Sequence, residues 1–147
     1  MLDDSSSKAS RELCLNTAKR FAKALDLEDY PVAIECLEDD CLYTIADDQH
    51  RGPSAIVDSY RASGDWAREH LDGIAYESSL RWEDGQVVVH FVDHLTHAGR
   101  RFTHRCEQVL EFSDPGRIVA IEHRDLPGER EALSSFFEAV GISRGKK

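Results

Sequence analysis

The spacing of apolar residues changes once along this chain. Up to about His70 they recur every three or four positions, and beyond it they alternate with polar ones. From Ser10 to Leu27, Leu13, Thr17, Phe21 and Leu25 fall at helical spacing with Ala18, Ala22 and Ala24 between them, and Ser10 is placed to cap the helix. EDYPVAIECLEDD predicts a second, shorter helix with Pro31 near its first turn, and CLYTIA (41–46) a short strand. RGPSAIVDSYRASGDW predicts a third helix restarting at Gly52-Pro53, with Ile56, Val57 and Tyr60 on its buried face. The alternating part reads as GIAYESSLRW, a turn at Asp84-Gly85, QVVVHFVDHLTH, a turn at Ala98-Gly99, RRFTHRCEQVLEF, a turn at Asp114-Pro115-Gly116, and RIVAIEHRD. Pro127 ends the last strand, and EREALSSFFEAVG predicts a closing helix with Gly141 at its end. The expectation is α+β: a curved antiparallel sheet wrapped around N-terminal helices.

Without repeats or linkers, residues 10–141 read as one domain, with a disordered leader over 1–9 and a flexible basic tail over 142–147. The chain has 147 residues and a formal net charge of −10, a balance that disfavours nucleic acid and anionic membranes as partners. No stretch is long and apolar enough to span a bilayer, and no apolar signal core opens the chain. Cys14, Cys36, Cys41 and Cys106 lack paired spacing and read as buried thiols of a reducing, cytoplasmic setting.

Chemistry enters through VHFVDHLTHAGRRFTH (89–104), which holds four histidines and an aspartate in sixteen positions. Strand phase decides which of them meet. Tight turns at Asp84-Gly85 and Ala98-Gly99 set Trp82 opposite Val87, Tyr76 opposite Asp93, and Asp93 opposite His104. A four-residue turn over Ser113–Gly116 sets Leu110 opposite Val119, Gln108 opposite Ile121, Cys106 opposite His123 and His104 opposite Asp125. One face then reads as four rows. Trp82, Val87, Leu110 and Val119 are apolar. Leu80, Val89, Gln108 and Ile121 are nearly so. Ser78, Phe91, Cys106 and His123 are mixed, and Tyr76, Asp93, His104 and Asp125 are polar. His90 and His94 belong to the opposite face with Glu77, Arg81, Arg105, Glu107 and Arg124, so the histidines do not converge.

A concave face that is apolar at one end and polar at the other suits a small apolar ligand. The candidate catalytic set is Asp93 and His104 assisted by Tyr76 and Asp125, since a carboxylate beside an imidazole can poise it for proton transfer. The structural alternative is a cross-strand pair that only holds the hairpin, or a solvated rim. Candidate ligand contacts are His123, Gln108, Phe91, Trp82, Phe21, Tyr60 and Trp66, each of which could instead be core. A metal set of His104, His123 and Asp93 or Asp125 is weaker, because no HExxH or helical HxxxH supports it. No metal and no cofactor is expected.

The order of elements and the stretches RFAKALDLEDYPVAIECLEDDCLYTI (20–45), RGPSAIVDSY (51–60) and LEFSDPGRIVAIEHRD (110–125) resemble the nuclear transport factor 2-like superfamily. Within it, the chain is most similar to SnoaL-like and steroid-isomerase-like small proteins. The resemblance implies a cone-shaped α+β barrel with a pocket between the concave sheet face and the first helix, and a homodimer formed through the outer sheet face. It also implies what is missing. Aligned without gaps, the steroid isomerase's oxyanion tyrosine falls on Phe21, its base aspartate on Ile45 and its protonated pocket aspartate on Gln108. Neither Phe nor Ile can move a proton, so ketosteroid isomerase activity is not expected. What the resemblance leaves open is a cofactor-independent cyclase or isomerase acting on a small ketone-like molecule, or a non-catalytic binding or interaction module.

Overall fold

Two turns dictate most of the sheet. Asp84-Gly85 and Ala98-Gly99 all take positive φ (52° and 82°, 52° and 76°), the geometry that matches the twist of adjoining strands. They join β3 (Gly73–Glu83), β4 (Gln86–His97) and β5 (Arg100–Phe112) in the expected register, with Tyr76 opposite Asp93 and Asp93 opposite His104. The computed structural model describes residues 4–143, with side chains from residue 11 onward.

Ahead of the meander come α1 (Asp4–Leu27), α2 (Tyr30–Glu35), β1 (Leu37–Ile45), β2 (Asp48–Arg51) and α3 (Pro53–His70); after it come β6 (Ile118–Asp125) and α4 (Glu129–Ala139). The sheet order is β2-β1-β6-β5-β4-β3, with β1 and β6 parallel. The architecture is α+β, N-terminal helices held by a curved six-stranded sheet, and the sheet does not close into a barrel. Among the described residues no helix is long and apolar enough to cross a membrane.

Several expectations need correcting. Helix α1 runs from Asp4, so Ser10 lies inside it and not at its start, and the expected leader is helical from Asp4 on. The expected basic tail falls largely on residues 144–147, which lie outside the described residues. The buried stripe of α1 is Cys14, Ala18, Phe21, Ala22 and Leu25, while Leu13 is 43% exposed. Small Ala18 and Ala22 let the helix lie close to the sheet, and this turns the stripe away from Leu13. The second helix stops at Glu35, because Leu37–Ile45 is drawn into a strand by pairing with β6.

The third turn also departs from the simple reading. Ser113 N–H bonds to Arg117 O at 2.8 Å, which makes the loop one residue longer, and a bulge follows at Val119. Together they slide β6 by two positions, so that Leu110 faces Ile121, Gln108 faces His123 and Cys106 faces Asp125. An even slip keeps Ile121, His123 and Asp125 on the inner face. Val119 leaves the apolar row, and Ile118, fully buried, takes its place in the core.

That loop is fixed by close packing on α1. Gly116 has φ +83°, and a β-carbon there would fall 2.5 Å from Leu13 Cγ. Gly116→Ala should therefore lower stability by about 2 kcal/mol, through left-handed strain plus overlap, measured by chemical denaturation. An unchanged midpoint would show that the loop relaxes freely.

The inner face is covered in two places. The main core packs Phe21, Val87, Val89, Leu110, Ile118 and Ile121 against α1 and α3. A second cluster sets Phe136 and Phe137 of α4, Ala67 of α3 and Leu71 just after that helix on Leu95, with Ile74, Phe102 and Trp66 packed around them. Ile74, Leu95 and Phe102 form one cross-strand row, the row just beyond Tyr76, Asp93 and His104.

A polar layer between two apolar clusters

The row Tyr76–Asp93–His104 is partly buried. It is sandwiched between the main core on one side and the α4 cluster on the other. Asp93 sits on the inner face with no hydrogen-bond partner among the described residues. Burial raises its pKa from the ordinary carboxylate range to about 6, the Asp26 carboxylate pushes the same way, and His94 opposes slightly. Asp26, near the end of α1, accepts a hydrogen bond from Ser78 Oγ at 2.7 Å, and its own pKa is raised chiefly by burial. The hydroxyl of Tyr76 is likewise free of hydrogen bonds among the described residues, and burial followed by Glu28 pushes it up to about 12. At neutral pH the layer therefore offers an ionised, underpartnered carboxylate beside a phenol that keeps its proton.

His104 turns to α4. Its Nδ1 lies 3.5 Å from Glu129 Oε1, and Glu129 also accepts the backbone N–H of Arg105 at 3.0 Å. The first residue of α4 thereby anchors the helix to β5. Asp125 leaves the row that the simple turn assigned to it. It lies opposite Cys106, accepts from His123 Nε2 at 3.0 Å and pairs with Arg130 at 2.9 Å. Burial raises its pKa, but the hydrogen bond from His123 and the charges of His123 and Arg130 outweigh that, leaving it lowered. It is an anchoring group and does not join the Asp93 layer.

The expected ligand contacts divide similarly. Phe21 is fully buried in the main core, and Trp82 packs at its edge beneath Arg11, whose guanidinium carbon is 5.6 Å from the ring centroid. Trp66 belongs to the α4 cluster, 5.4 Å edge-on to Phe137, so it lines no pocket with Tyr60. Phe91 faces inward beside Ser78 and Cys106. Burial pushes the Cys106 thiol up to about 12, which keeps it protonated and poorly nucleophilic.

Gln108, 3% exposed, organises the remainder. Tyr60 Oη donates to its Oε1 at 2.6 Å, while its Nε2 donates to Tyr43 Oη at 3.1 Å and to His123 Nδ1 at 3.2 Å. Tyr43 and Tyr60 stack at 5.2 Å. With Gln108 on one nitrogen and Asp125 on the other, His123 is committed to this chain of bonds and lies two positions along the strand from the expected neighbour of His104. Among the described residues no group of three or more His, Cys, Asp or Glu side chains could hold a metal ion.

The outer face carries His90 and His94 as expected. His94 meets Glu77 at 2.5 Å and Thr103 at 3.2 Å, while His90 and Arg81 both engage Glu107. His97 lies 3.6 Å from Asp72.

Helices cupped by a curved, unclosed sheet constitute the nuclear transport factor 2-like fold. Solved structures agree. A proposed polyketide cyclase of Xanthomonas campestris pv. campestris superposes with a TM-score of 0.66 at 12% identity, over 89% of this chain and 98% of its own. An NTF2-like protein of unknown function from Burkholderia pseudomallei gives 0.62 at 17% identity, over 87% and 97%. An LEH-like epoxide hydrolase of M. tuberculosis gives 0.62 at 19% identity, over 88% and 96%. No family profile and no curated protein matches the chain. At such identities the likeness establishes the fold.

Proposed function

We propose that this is a cofactor-independent acid–base protein of cyclase or isomerase type, acting on a small, apolar, ketone-like molecule. One observation carries the reading: Asp93 is desolvated, lacks a hydrogen-bond partner among the described residues, and has a pKa raised to about 6. A carboxylate of that kind is a stronger base than an exposed one and is still ionised at pH 7. Asp93 takes a proton from the carbon next to a carbonyl. The Tyr76 hydroxyl, which stays protonated, donates a hydrogen bond to the oxygen as negative charge develops there. Returning the proton to another position completes an isomerisation, and attack of the enolate carbon on a second electrophile closes a ring. Similarity to a proposed polyketide cyclase and an epoxide hydrolase supports proton-transfer chemistry on this fold.

The test is hydrogen–deuterium exchange at the methyl group of acetophenone in D2O, followed by proton NMR. Wild-type protein should accelerate exchange, with the rate rising through about pH 6 as Asp93 ionises. Asp93→Asn should reduce it by about a hundredfold. Undiminished exchange in that variant overturns the reading. A second reading, a non-catalytic binding or interaction module, needs room away from the apolar end of the inner face, where Phe21, Val89 and Leu110 are fully buried. It calls for a bound ligand and no exchange.

A further inference from the structure

Helix α3 carries a glycine in its middle, where alanine would be about 1 kcal/mol better for the helix. Its surroundings supply a reason. A β-carbon on buried Gly64 would lie 2.8 Å from Glu28 Oε2 and 3.4 Å from the Tyr76 hydroxyl oxygen. The bare backbone is a niche that admits both groups. Glu28 is held there by an ion pair with Arg68, which also grips Asp65 at 2.5 Å.

The same residues border a groove of about 420 Å³ at the edge strand β3, lined by Asp26, Glu28, Arg68, Leu71, Asp72 and 73–76. Two of its walls, Tyr76 and Asp26, are also members or neighbours of the Asp93 layer. Elsewhere the layer is covered by the main core and by Phe136 and Phe137. We propose that this groove is the ligand entrance to the Asp93 layer, that Tyr76 positioned by the Gly64 niche is its specificity-determining wall, and that it admits neutral oxygen-bearing molecules over carboxylates. This rests on the acid–base reading for what happens beyond the entrance. The chemistry of the wall sets the ligand class. The Tyr76 hydroxyl has no hydrogen-bond partner among the described residues, so it offers a donor to a carbonyl or hydroxyl oxygen. Leu71, Ile74 and Ala75 supply the apolar side. Asp26, Glu28 and Asp72 outnumber the one guanidinium, whose charge is already taken by Glu28 and Asp65, so an anion meets repulsion.

Acetophenone and benzoate, alike in size, are the probes, and amide and tyrosine-ring NMR shifts the readout. Acetophenone should shift the amides of 71–76 and the Tyr76 ring. Benzoate should bind about tenfold more weakly at low salt, with the gap closing at high salt. Tyr76→Phe should weaken acetophenone about tenfold by removing the donor. Gly64→Ala should displace the Tyr76 ring signals and weaken acetophenone several-fold, while leaving the melting temperature level or higher because alanine favours the helix. Acetophenone shifts that are absent or lie elsewhere, equal binding of benzoate, or undiminished binding in Tyr76→Phe would each overturn the proposal. Binding at 71–76 without proton exchange would overturn the acid–base reading and leave the entrance standing. Asp93-dependent exchange without groove shifts would do the reverse.

Discussion

Asp93→Asn should stabilise this protein by about 2 kcal/mol at pH 7 while removing its proposed activity. Asp93 has a folded pKa of about 6, above that of an aspartate in an unfolded chain. The folded state therefore holds its proton more tightly than the unfolded state. The stability tied to that proton is fully present below about pH 4 and is lost as pH rises through about 6. At pH 7 the wild type carries a half-buried charge without a hydrogen-bonded partner among the described residues, and asparagine does not. Guanidinium titrations at pH 4 and pH 7 make the comparison: the two proteins should agree at pH 4 and diverge at pH 7. Glu107 and Asp125, whose pKa values are lowered, push overall stability the other way with pH, but they are common to both proteins and drop out of the difference. Equal stability at both pH values would mean that Asp93 is solvated in solution, and the case for it as a base would go with it.

The second large effect belongs to Gln108. Gln108→Leu keeps the volume near that of the amide but strips the partner from Tyr60, Tyr43 and His123 Nδ1 together. Leaving two buried hydroxyls and a ring nitrogen without their bonds should cost about 3 kcal/mol. The loss should be strongly non-additive with Tyr60→Phe, which removes one of the stranded groups in advance. Simple additivity in that double-mutant cycle would show that the network is a set of independent contacts.

How much of this was legible in the sequence follows from where each constraint is stored. The two hairpins were readable because Asp84-Gly85 and Ala98-Gly99 carry their register within two residues, and so the Tyr76–Asp93–His104 row was readable as well. The Ser113–Arg117 loop was not, because a longer loop and a bulge shift pairing without a compositional mark. Asp125 was misplaced and Val119 was assigned to the wrong row for that reason. One missed feature did have a signal. Extending the same pairing one step past Asp93 gives Ile74, Leu95 and Phe102, an apolar row that needs a cover, and α4 is that cover. Asp26, Glu28 and Gly64 had none, since their roles come from α1 and α3 meeting β3 across distances that no local pattern encodes. The first part of β1, Leu37–Asp40, was hidden in the same way. Its partner, β6, lies far along the chain and overrides a helix-compatible stretch.

That parallel pairing also bears on the birth of the molecule. Leu37 and its partner Ile118 are separated by most of the chain, so during synthesis α1, α2 and β1 emerge long before the strand that completes their sheet exists. Until β6 leaves the ribosome, Phe21, Leu37 and Cys41 have no full core to enter, and β1 is an open template for any passing strand. The nascent chain is therefore most exposed to aggregation and chaperone capture in the interval between β1 and β6, and its yield in a cell would respond to how fast that stretch is translated.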